Sequence, residues 1–541
     1  MSRNLLFEQR LQKHYDELKW LYCELYESMD AFQRLCETME SYFLSRQDSL
    51  KRLDEQRLEH PDWYKGSGLL GMMMYTDAFA GSLKGVQKKL NYIEECGVNC
   101  LHLMPLLQMP EAENDGGYAV SDYTQVDSRL GTMVDLSRLS DACHKRGICV
   151  CLDFVMNHTS MEHEWARRAR AGEKEYQDRY FFFDNFDIPA QYEKTCPQVF
   201  PTTAPGNFTW LEDIGKYVMT TFYPYQWDLN YRNPAVFNDM TGYLLNLANH
   251  GIDIMRIDAV PYIWKELNTS CRNLPQVHTI VRMLRMICEI VCPGVLLLGE
   301  VVMAPDKVVP YFGTLDKPEC HMLYNVTTMA TLWHTAAVKD AALLKRQTEI
   351  VAALPKDYVF LNYIRCHDDI GWGLEYVWLK EHHMQENPHK KFLNDYFTGK
   401  YPGSLSRGEL YNDDPASGDA RLCGTAASLC GIEAARESQN PEDLEKAVSL
   451  DLLLHGYMLS LSGIPMIYSG DEVARLNDYT YHSDPKKAAD SRYVHRGPFL
   501  WDEAKLRHTP GTIQQRIFEG LRNMETLRKE CGVFSQESSL S

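Results

Sequence analysis

The chain has 541 residues, of which 45% are hydrophobic and 24% are charged, a composition typical of folded globular proteins and not of disordered ones. Its 56 lysine and arginine residues against 74 aspartate and glutamate residues give a formal charge of −18 at pH 7. Nucleic acids and anionic membrane surfaces attract basic proteins, so this charge argues against both as partners and is compatible with a neutral substrate.

The first segment, residues 1–62, is predicted to be a helical domain. Its apolar residues recur at helical spacing, and neither glycine nor proline occurs before Pro61. Charged residues interrupt the amino terminus, and the sequence has no apolar run long enough for a signal peptide or a membrane span. The 16 cysteines include no Cys-x-x-Cys pair. We therefore expect a cytoplasmic protein with reduced thiols and no zinc site.

After this segment, short apolar runs alternate with helical stretches, several of which end at glycine. Eight runs are predicted to contain strands: 68–75, 98–106, 148–158, 251–260, 294–300, 321–325, 358–369 and 463–472. Apolar strands separated by helices indicate a parallel sheet that is covered on both faces. Eight is the number of strands that closes a (β/α)8 TIM barrel, so the predicted fold class is α/β.

Two long segments interrupt this alternation. Residues 158–234 follow the third strand and are rich in aromatic residues, and residues 371–447 follow the seventh strand and are polar. Long loops are usually functional when they are ordered, and loops at the carboxyl ends of barrel strands build the active-site face. We therefore predict two insertions between the barrel segments 63–157, 235–370 and 448–541, the last of which includes the carboxyl-terminal tail.

Polar residues cluster where the predicted strands end. A single acidic residue at such a position is often only the cap of the next helix, but a barrel places its catalytic groups at the carboxyl ends of several strands. Convergent carboxylates with histidine and arginine predict glycosyl transfer, in which one carboxylate attacks the anomeric carbon and another carboxyl group protonates the leaving oxygen. The residues concerned are Asp153, Asn157, His158, Arg256, Asp258, Glu300, His367 and Asp368.

Four motifs resemble the signature regions of the α-amylase superfamily, glycoside hydrolase family 13, which contains retaining hydrolases and transglycosylases. They are DFVMNH (153–158), GIDIMRIDA (251–259), LLLGE (296–300) and IRCHDD (364–369). Other segments are similar to the amylosucrase-like members of that superfamily: NDGGYAVSDY (114–123), TTFYPYQWDLNY (220–231), SGDARLCGTAASL (417–429) and ADSRYVHR (489–496). The helical first domain and the insertion after the seventh strand match the same members.

The resemblance implies a role for each matching residue. Asp258 would be the nucleophile, Glu300 the general acid and base, and Asp368 a carboxylate that holds the hydroxyls of the sugar ring. The resemblance also implies substrate-binding residues. Arg256, His158 and His367 would bind the glucosyl unit above Tyr118, a salt bridge between Asp115 and Arg492 would close its pocket, and Arg421 and Tyr225 would lie near a leaving fructosyl group.

The activity implied by the resemblance is cleavage of sucrose and transfer of glucose to an α-1,4-glucan or maltooligosaccharide acceptor, with release of fructose and without a cofactor or metal. Two alternatives stay open: a hydrolase of sucrose or maltooligosaccharides, and a non-catalytic carbohydrate-binding barrel. Relatives of this kind carry a carboxyl-terminal β-sandwich after the barrel, which we expect to be missing here. That expectation would leave part of the barrel surface exposed.

Overall fold

The structure is a computed structural model that describes residues 3–414, 418–535 and 538. Ser417 of the motif at 417–429 and the last residues of the predicted tail lie outside the described residues.

Eight buried strands form the framework of the molecule. They are β1 Gly71–Met74, β2 Cys100–Leu103, β3 Cys149–Val155, β4 Ile254–Asp258, β5 Leu296–Gly299, β6 Met322–Tyr324, β7 Val359–Asn362 and β8 Ile464–Tyr468. They form a closed barrel in the order β1-β8-β7-β6-β5-β4-β3-β2, so each strand lies beside its neighbours in sequence. Each predicted apolar run contains one of these strands, and the predicted (β/α)8 barrel is confirmed.

The register of β3, β4 and β5 positions the polar residues of the motifs. Arg256 of β4 lies beside Asp153 of β3, and Asp258 lies beside Val155. On the other side, Ile257 pairs with Gly299, the last residue of β5. Because alternate residues of a strand point to one side, Arg256 and Asp258 share a side of the sheet. The parallel register therefore brings Asp153, Asp258 and the residue after Gly299 to one edge.

The helices predicted for residues 1–62 are present as α1 Arg3–Tyr26, α2 Met29–Ser45 and α3 Asp48–Glu59. Arg46 follows α2 and makes a two-pronged contact with Asp54 of α3, with Nε to Oδ2 at 2.7 Å and Nη2 to Oδ1 at 2.8 Å. Arg57 of α3 reaches Asp253, directly before β4, with Nη1 to Oδ1 at 2.7 Å. These ion pairs join the helices to the amino end of β4.

The segment predicted as the first insertion is more regular than its sequence indicates. It contains a three-stranded antiparallel sheet of Phe182–Phe183, Lys216–Met219 and Phe208–Leu211, and a pair formed by His158–Ser160 and Gln226–Asp228. Its helices are Glu164–Arg170, Lys174–Gln177 and Asp187–Glu193. Strands of two to four residues are too short to show an alternating pattern, and contacts such as Phe183–Phe208, with ring centroids 5.7 Å apart, help stabilise them.

The described residues of the second predicted insertion contain a three-stranded antiparallel sheet of Ile370–Gly371, Asp419–Cys423 and Glu409–Asp414. Four helices accompany it: Tyr376–Glu381, Glu386–Phe397, Ala426–Leu429 and Ile432–Ser438. The residue limits predicted for the domains stay predictions.

The other α-helices lie between or after the barrel strands in chain order. They are Thr76–Ala80, Leu83–Lys88, Leu90–Glu95, Met133–His144, Pro234–Asn249, Pro275–Val291, Pro305–Val308, Val326–Val338, Ala342–Ala352, Pro441–Ser460, Trp501–Ala504 and Ile513–Glu530. A further antiparallel pair joins Leu107–Gln108 to Asp122–Val126. Three of the longer helices, Pro234–Asn249, Pro275–Val291 and Pro441–Ser460, begin with proline. Proline is favourable at the first position of a helix, because the backbone N–H of that position has no partner within the helix.

The chain divides into two compact units. The first comprises residues 1–63, 105–301 and 310–323, and the second comprises residues 64–104, 302–309 and 324–541. A search of the described residues finds no helix that is long and apolar enough to cross a membrane.

Candidate active site

Arg256 is the centre of an ionic cluster in the first unit. Its Nη1 lies 2.8 Å from Asp153 Oδ1 and 2.5 Å from Asp258 Oδ1, and its Nη2 lies 2.7 Å from Glu300 Oε1. The arginine side chain is only 2% exposed. A buried charge is strongly unfavourable unless it is paired and hydrogen-bonded, and this guanidinium meets that requirement with three carboxylates.

The three carboxylates differ in access to solvent. The side chain of Asp153 is fully buried, whereas those of Asp258 and Glu300 are 10% and 22% exposed. A substrate can therefore reach Asp258 and Glu300 but not Asp153. The contact that Asp153 makes in this cluster is with Arg256. A reacting carboxylate must touch the substrate, so these exposures separate candidate catalytic groups from a positioning group.

The backbone after Asp258 orients Glu300. Ala259 has φ of +49°, a left-handed conformation that is uncommon for residues other than glycine. Its amide donates a hydrogen bond to Glu300 Oε2 at 2.9 Å. Because Arg256 contacts the other carboxylate oxygen, both oxygens of Glu300 have a donor.

Tyr118 is joined to the same cluster. Its hydroxyl donates to Asp153 Oδ1 at 2.9 Å, and the Arg256 guanidinium lies 5.5 Å from the centroid of its ring. The tyrosine follows a short turn at Asp115–Gly117. The contacts hold the ring beside the arginine, while its predicted stacking beneath a glucosyl unit stays a prediction.

His158 is buried in the same unit, and both of its ring nitrogens have partners. Nε2 lies 3.0 Å from the carbonyl of Tyr118, and Nδ1 lies 3.2 Å from Asn157 Nδ2. Burial lowers the pKa of His158, and the charge of Asp228 opposes this only in part. The ring is therefore neutral, with the proton on Nε2, which donates to the carbonyl, and with Nδ1 as the acceptor.

A buried lysine supports this histidine through Asn157. Lys265 Nζ donates to Asn157 Oδ1 at 2.7 Å and lies 3.2 Å from Asp228 Oδ2. Asn157 Nδ2 also contacts Asp228 Oδ1 at 3.4 Å. The side-chain oxygen of Asn157 therefore accepts a hydrogen bond from Lys265, and its side-chain nitrogen points to His158.

Two further predicted residues lie in the first unit. Asp115 Oδ2 accepts a hydrogen bond from Gln226 Nε2 at 3.3 Å. The Tyr225 ring stacks on that of Tyr223, with centroids 5.3 Å apart and an angle of 2° between the planes. Their predicted roles in closing the pocket and in contacting a leaving group stay predictions.

In the second unit, Asp368 accepts contacts from three cationic or polar groups. Its Oδ2 lies 3.1 Å from His367 Nε2, and its Oδ1 lies 3.0 Å from Arg496 Nη2 and 3.4 Å from Arg492 Nη1. Burial by itself would raise the pKa of Asp368, but the neighbouring histidine and arginines hold it well below its usual range. The carboxylate is therefore ionised at neutral pH.

The segment after β8 supplies these arginines. Arg492 also forms a two-pronged contact with Asp490, with Nε to Oδ1 at 2.9 Å and Nη2 to Oδ2 at 2.8 Å. Arg496 Nε donates to the carbonyl of His367 at 2.7 Å, and His495 Nε2 lies 3.0 Å from the same carbonyl. The structure thus brings Arg492 together with His367 and Asp368. The predicted Asp115–Arg492 bridge stays a prediction.

Arg421 lies on the strand Asp419–Cys423, opposite Gly371. Its Nη1 is 3.4 Å from Asp369 Oδ2, and its side chain is 36% exposed. This places it near the end of the IRCHDD motif, while its predicted contact with a leaving group stays a prediction.

Several supporting residues were not among the predicted site residues. Asp490 and Arg496 lie inside the motif ADSRYVHR, and Arg365 lies inside IRCHDD, so their polar character at the right spacing could have indicated them. Lys265 and Asp471 had no such signal, because they lie outside these motifs and their partners are distant in sequence. Among the described residues, no group of three or more histidine, cysteine, aspartate or glutamate side chains could hold a metal ion.

Residues 46–370 match the family of the α-amylase catalytic domain. This match covers more than half of the chain, and the chain therefore belongs to the α-amylase family.

Curated relatives are 27% to 33% identical to the chain over the aligned residues. Trehalose synthase from Pimelobacter sp. (strain R48) is 29% identical over 77% of this chain and 67% of that protein. Trehalose synthase from Thermus thermophilus is 33% identical over 82% of this chain, which spans only 41% of that relative's length. Glucosylglycerate phosphorylase from Escherichia coli (strain K12) is 27% identical over 92% of this chain and 84% of the relative.

Solved structures support the same fold at low sequence identity. Sucrose 6F-phosphate phosphorylase from Thermoanaerobacter thermosaccharolyticum superposes with a TM-score of 0.66 at 20% identity, over 86% of this chain and 88% of that one. The trehalulose synthase MutB from Pseudomonas mesoacidophila MX-45 superposes with a TM-score of 0.62 at 19% identity, over 88% of this chain and 85% of that one. At this identity the likeness concerns the fold alone.

Proposed function

We propose that the chain is a retaining enzyme of the α-amylase family that transfers glucose from α-glucosides. The observation that carries this proposal is the contact of Arg256 with both Asp258 and Glu300. A single guanidinium that contacts both carboxylates favours the close spacing of retaining enzymes, about 5 to 5.5 Å, over the wider spacing that admits a water in inverting enzymes.

In the proposed mechanism Asp258 attacks the anomeric carbon while protonated Glu300 gives its proton to the leaving oxygen. Glu300 then removes a proton from the acceptor hydroxyl, which attacks the glucosyl ester on Asp258. Arg256 favours the charged form of Asp258 and so keeps the nucleophile ionised.

The other predicted residues would hold the glucosyl unit. Asp368 is ionised because its neighbours lower its pKa, so its oxygens can accept hydrogen bonds from ring hydroxyls and stabilise the positive charge that develops on the sugar. Neutral His158 would offer a hydrogen-bond donor without an added charge if its Nε2 turned to the sugar. The ring of Tyr118 would lie beneath the sugar.

We propose sucrose as the donor and an α-glucan or maltooligosaccharide as the acceptor, with fructose released. The four amylosucrase-like motifs support this choice, and the net charge of −18 suits a neutral donor. A second candidate is the interconversion of trehalose and another disaccharide. It is favoured by the similarity to trehalose synthases over 77% and 82% of the chain.

The test is to incubate the protein separately with sucrose, with maltose, with trehalose and with glucosylglycerate plus phosphate. Fructose in excess of free glucose, with an iodine-staining glucan, is the result expected from sucrose. Equal amounts of fructose and glucose would indicate a hydrolase, and trehalose formed from maltose would favour the second candidate. Absence of turnover on all four donors would overturn the proposed function. The variant Asp258→Asn, purified in parallel, controls for contaminating activity.

A further inference from the structure

Two cysteines from distant parts of the sequence meet in the first unit. Cys196 follows the helix Asp187–Glu193, and Cys271 lies in the segment between β4 and the helix Pro275–Val291. Both are thiols in the structure, and they share a buried cluster with Tyr192 and Met219. The two residues are 7% and 5% exposed, and each thiol shifts the pKa of the other.

Thr269 contacts both sulfur atoms. The thiol of Cys196 donates to the carbonyl of Thr269 at 3.6 Å, and Thr269 Oγ1, whose hydroxyl donates to the carbonyl of Glu266 at 2.7 Å, lies 3.9 Å from Cys271 Sγ. The protonated form of Cys271 has an acceptor of its own, the carbonyl of Glu266 at 3.4 Å. Because one residue contacts both sulfurs, the two side chains are held in the same place before any reaction.

The backbone around Cys271 is fixed against the residue that follows Cys196. Arg272 Nη2 donates to the carbonyl of Pro197 at 2.7 Å. Asn268, Cys271 and Asn273 have φ of +64°, +52° and +56°, which are left-handed conformations that non-glycine residues adopt only when surrounding contacts impose them. The backbone at Cys271 is therefore held next to the residue that follows Cys196.

The two thiols are not equivalent. The hydrogen bond from Cys196, the Thr269 hydroxyl and the charge of Lys265 lower the pKa of Cys271, although burial opposes them. The hydrogen bond with Cys271 and burial raise the pKa of Cys196. Of the two thiols, Cys271 therefore loses its proton first, which is what distinguishes an attacking from a resolving cysteine.

We propose that Cys196 and Cys271 are a modification site at which a peroxide forms a reversible disulfide, with Cys271 as the attacking residue. The Cys271 thiolate attacks one oxygen of hydrogen peroxide, so that an S–O bond forms, the O–O bond breaks and the departing hydroxide takes a proton to become water. The Cys196 sulfur then attacks the Cys271 sulfur. The S–S bond forms as the S–O bond breaks, and the thiol proton of Cys196 leaves with the hydroxyl group as a second water. The two electrons lost by the thiols reduce the peroxide.

The disulfide would link the segment that begins directly after Asp258 to the predicted insertion 158–234.

Cys288 and Cys292 provide a matched control pair. They lie on and just after the helix Pro275–Val291 and are 1% and 0% exposed. The pKa of Cys288 is raised by its hydrogen bond with Cys292 and by burial, whereas that of Cys271 is lowered, so Cys288 is expected to react more slowly with peroxide.

The experiment treats the native protein with hydrogen peroxide, quenches it, alkylates the remaining thiols under denaturing conditions and maps the peptides by mass spectrometry. We expect a cross-linked peptide that contains Cys196 and Cys271, formed at least about tenfold faster than any product of Cys288 or Cys292 and reversed by dithiothreitol. A dose that oxidises the half-exposed Cys23 and Cys531 but leaves Cys196 and Cys271 as thiols would overturn the proposal.

Single variants identify the attacking residue. In Cys196→Ser, the sulfenic acid on Cys271 should be trapped by dimedone, whereas Cys271→Ser should leave Cys196 unreacted and Cys288→Ser should behave as the parent does. A sulfenic acid that forms first on Cys196 would contradict the assignment. The cross-link in the unmodified protein requires no variant, so the proposal can fail even if a substitution prevents folding.

Discussion

At the scale of single residues, the three carboxylates that contact Arg256 differ in their exposure to solvent. Asp153 is fully buried against Arg256, while Asp258 and Glu300 retain exposure of 10% and 22%. The guanidinium contacts all three carboxylates, but its single positive charge can balance only one of their negative charges, and the remaining repulsion favours a proton on one of them. The site can therefore keep one carboxylate as a nucleophile and use another for proton transfer.

The variant Asp258→Asn should lose at least about three orders of magnitude in turnover, because the covalent intermediate forms on this carboxylate. Turnover on the preferred donor and the thermal unfolding midpoint are measured together. The matched control is Asp253→Asn, which removes a carboxylate just before the same strand, where it pairs with Arg57. This control should lower the unfolding midpoint and leave turnover of the folded protein within about twofold. Activity above about a tenth of the parent in folded Asp258→Asn, a loss under about 1.4 kcal/mol, would contradict the assignment.

The variant Glu300→Gln should lose cleavage of donors whose leaving oxygen needs a proton, because glutamine cannot supply one. Glucosyl fluoride needs no such proton, so the first step with this donor should be largely spared. Pre-steady-state release of fluoride and of fructose from sucrose gives the two rates. Equal losses on both donors would show that Glu300 is not the acid.

At the scale of secondary-structure elements, buried ion pairs join the ends of strands and helices. Arg365, which follows β7, meets Asp471, which follows β8, with Nε to Oδ1 at 2.9 Å and side chains 2% and 1% exposed. The residue two positions after Arg365 is His367, one of the groups around Asp368. We therefore infer that this pair positions the segment that carries His367 and Asp368.

The variant Arg365→Met should lower kcat at least about tenfold in the folded protein, beyond its effect on stability. The pair Arg46–Asp54 provides the control, because it is also a buried arginine–aspartate pair, with side chains 3% and 2% exposed. Each substitution leaves a buried aspartate unpaired and should cost about 3 to 5 kcal/mol of unfolding free energy. Arg46→Met should nevertheless keep kcat within about twofold. Equal effects on kcat would show that Arg365 has a structural role alone.

The lowered pKa of Asp253, at the amino end of β4, predicts that this residue makes a pH-dependent contribution to the free energy of unfolding. Burial alone would raise its pKa, but Arg57, His144 and the amide of Val150 outweigh burial and lower it. A lowered pKa means that the stabilisation is fully present above the unfolded pKa of about 3.9 and is lost as the pH falls through the folded value. Each tenfold difference in proton affinity between the folded and unfolded chains contributes about 1.4 kcal/mol.

Urea unfolding of the parent and of Asp253→Asn between about pH 3 and pH 8 tests this sign. The difference in unfolding free energy should be constant above about pH 5 and should shrink below about pH 4. A difference that grows as the pH falls would contradict the lowered pKa.

At the scale of the whole molecule, the net charge of −18 should select among donors of similar shape. A neutral disaccharide is not steered by this field, so its kcat/KM should change less than about twofold between about 0.01 M and 0.15 M salt. A phosphorylated disaccharide is repelled, and its kcat/KM should be lower and should rise as salt screens the repulsion. Faster turnover of sucrose 6F-phosphate than of sucrose at low salt would contradict this prediction.

The sequence by itself determined the barrel. Fully buried strands such as β4 appear as short apolar runs, and a barrel needs only that each run be followed by a helix, which is local information. It also determined that Arg256 and Asp258 share a side of one strand, because side chains alternate along every strand. The motifs also identified Glu300 and Asp368, because each lies at the carboxyl end of a strand predicted from the sequence.

Only the tertiary structure decided which partners these residues have. The contact of Arg256 with Asp153 depends on the register between β3 and β4, and the support of Asn157 by Lys265 depends on how the segment after β4 turns back. The short strands of the first insertion and the meeting of Cys196 with Cys271 also had no local signal. A local pattern records which face of an element is buried, whereas a contact between distant residues depends on the packing of whole elements, which no short stretch of sequence specifies.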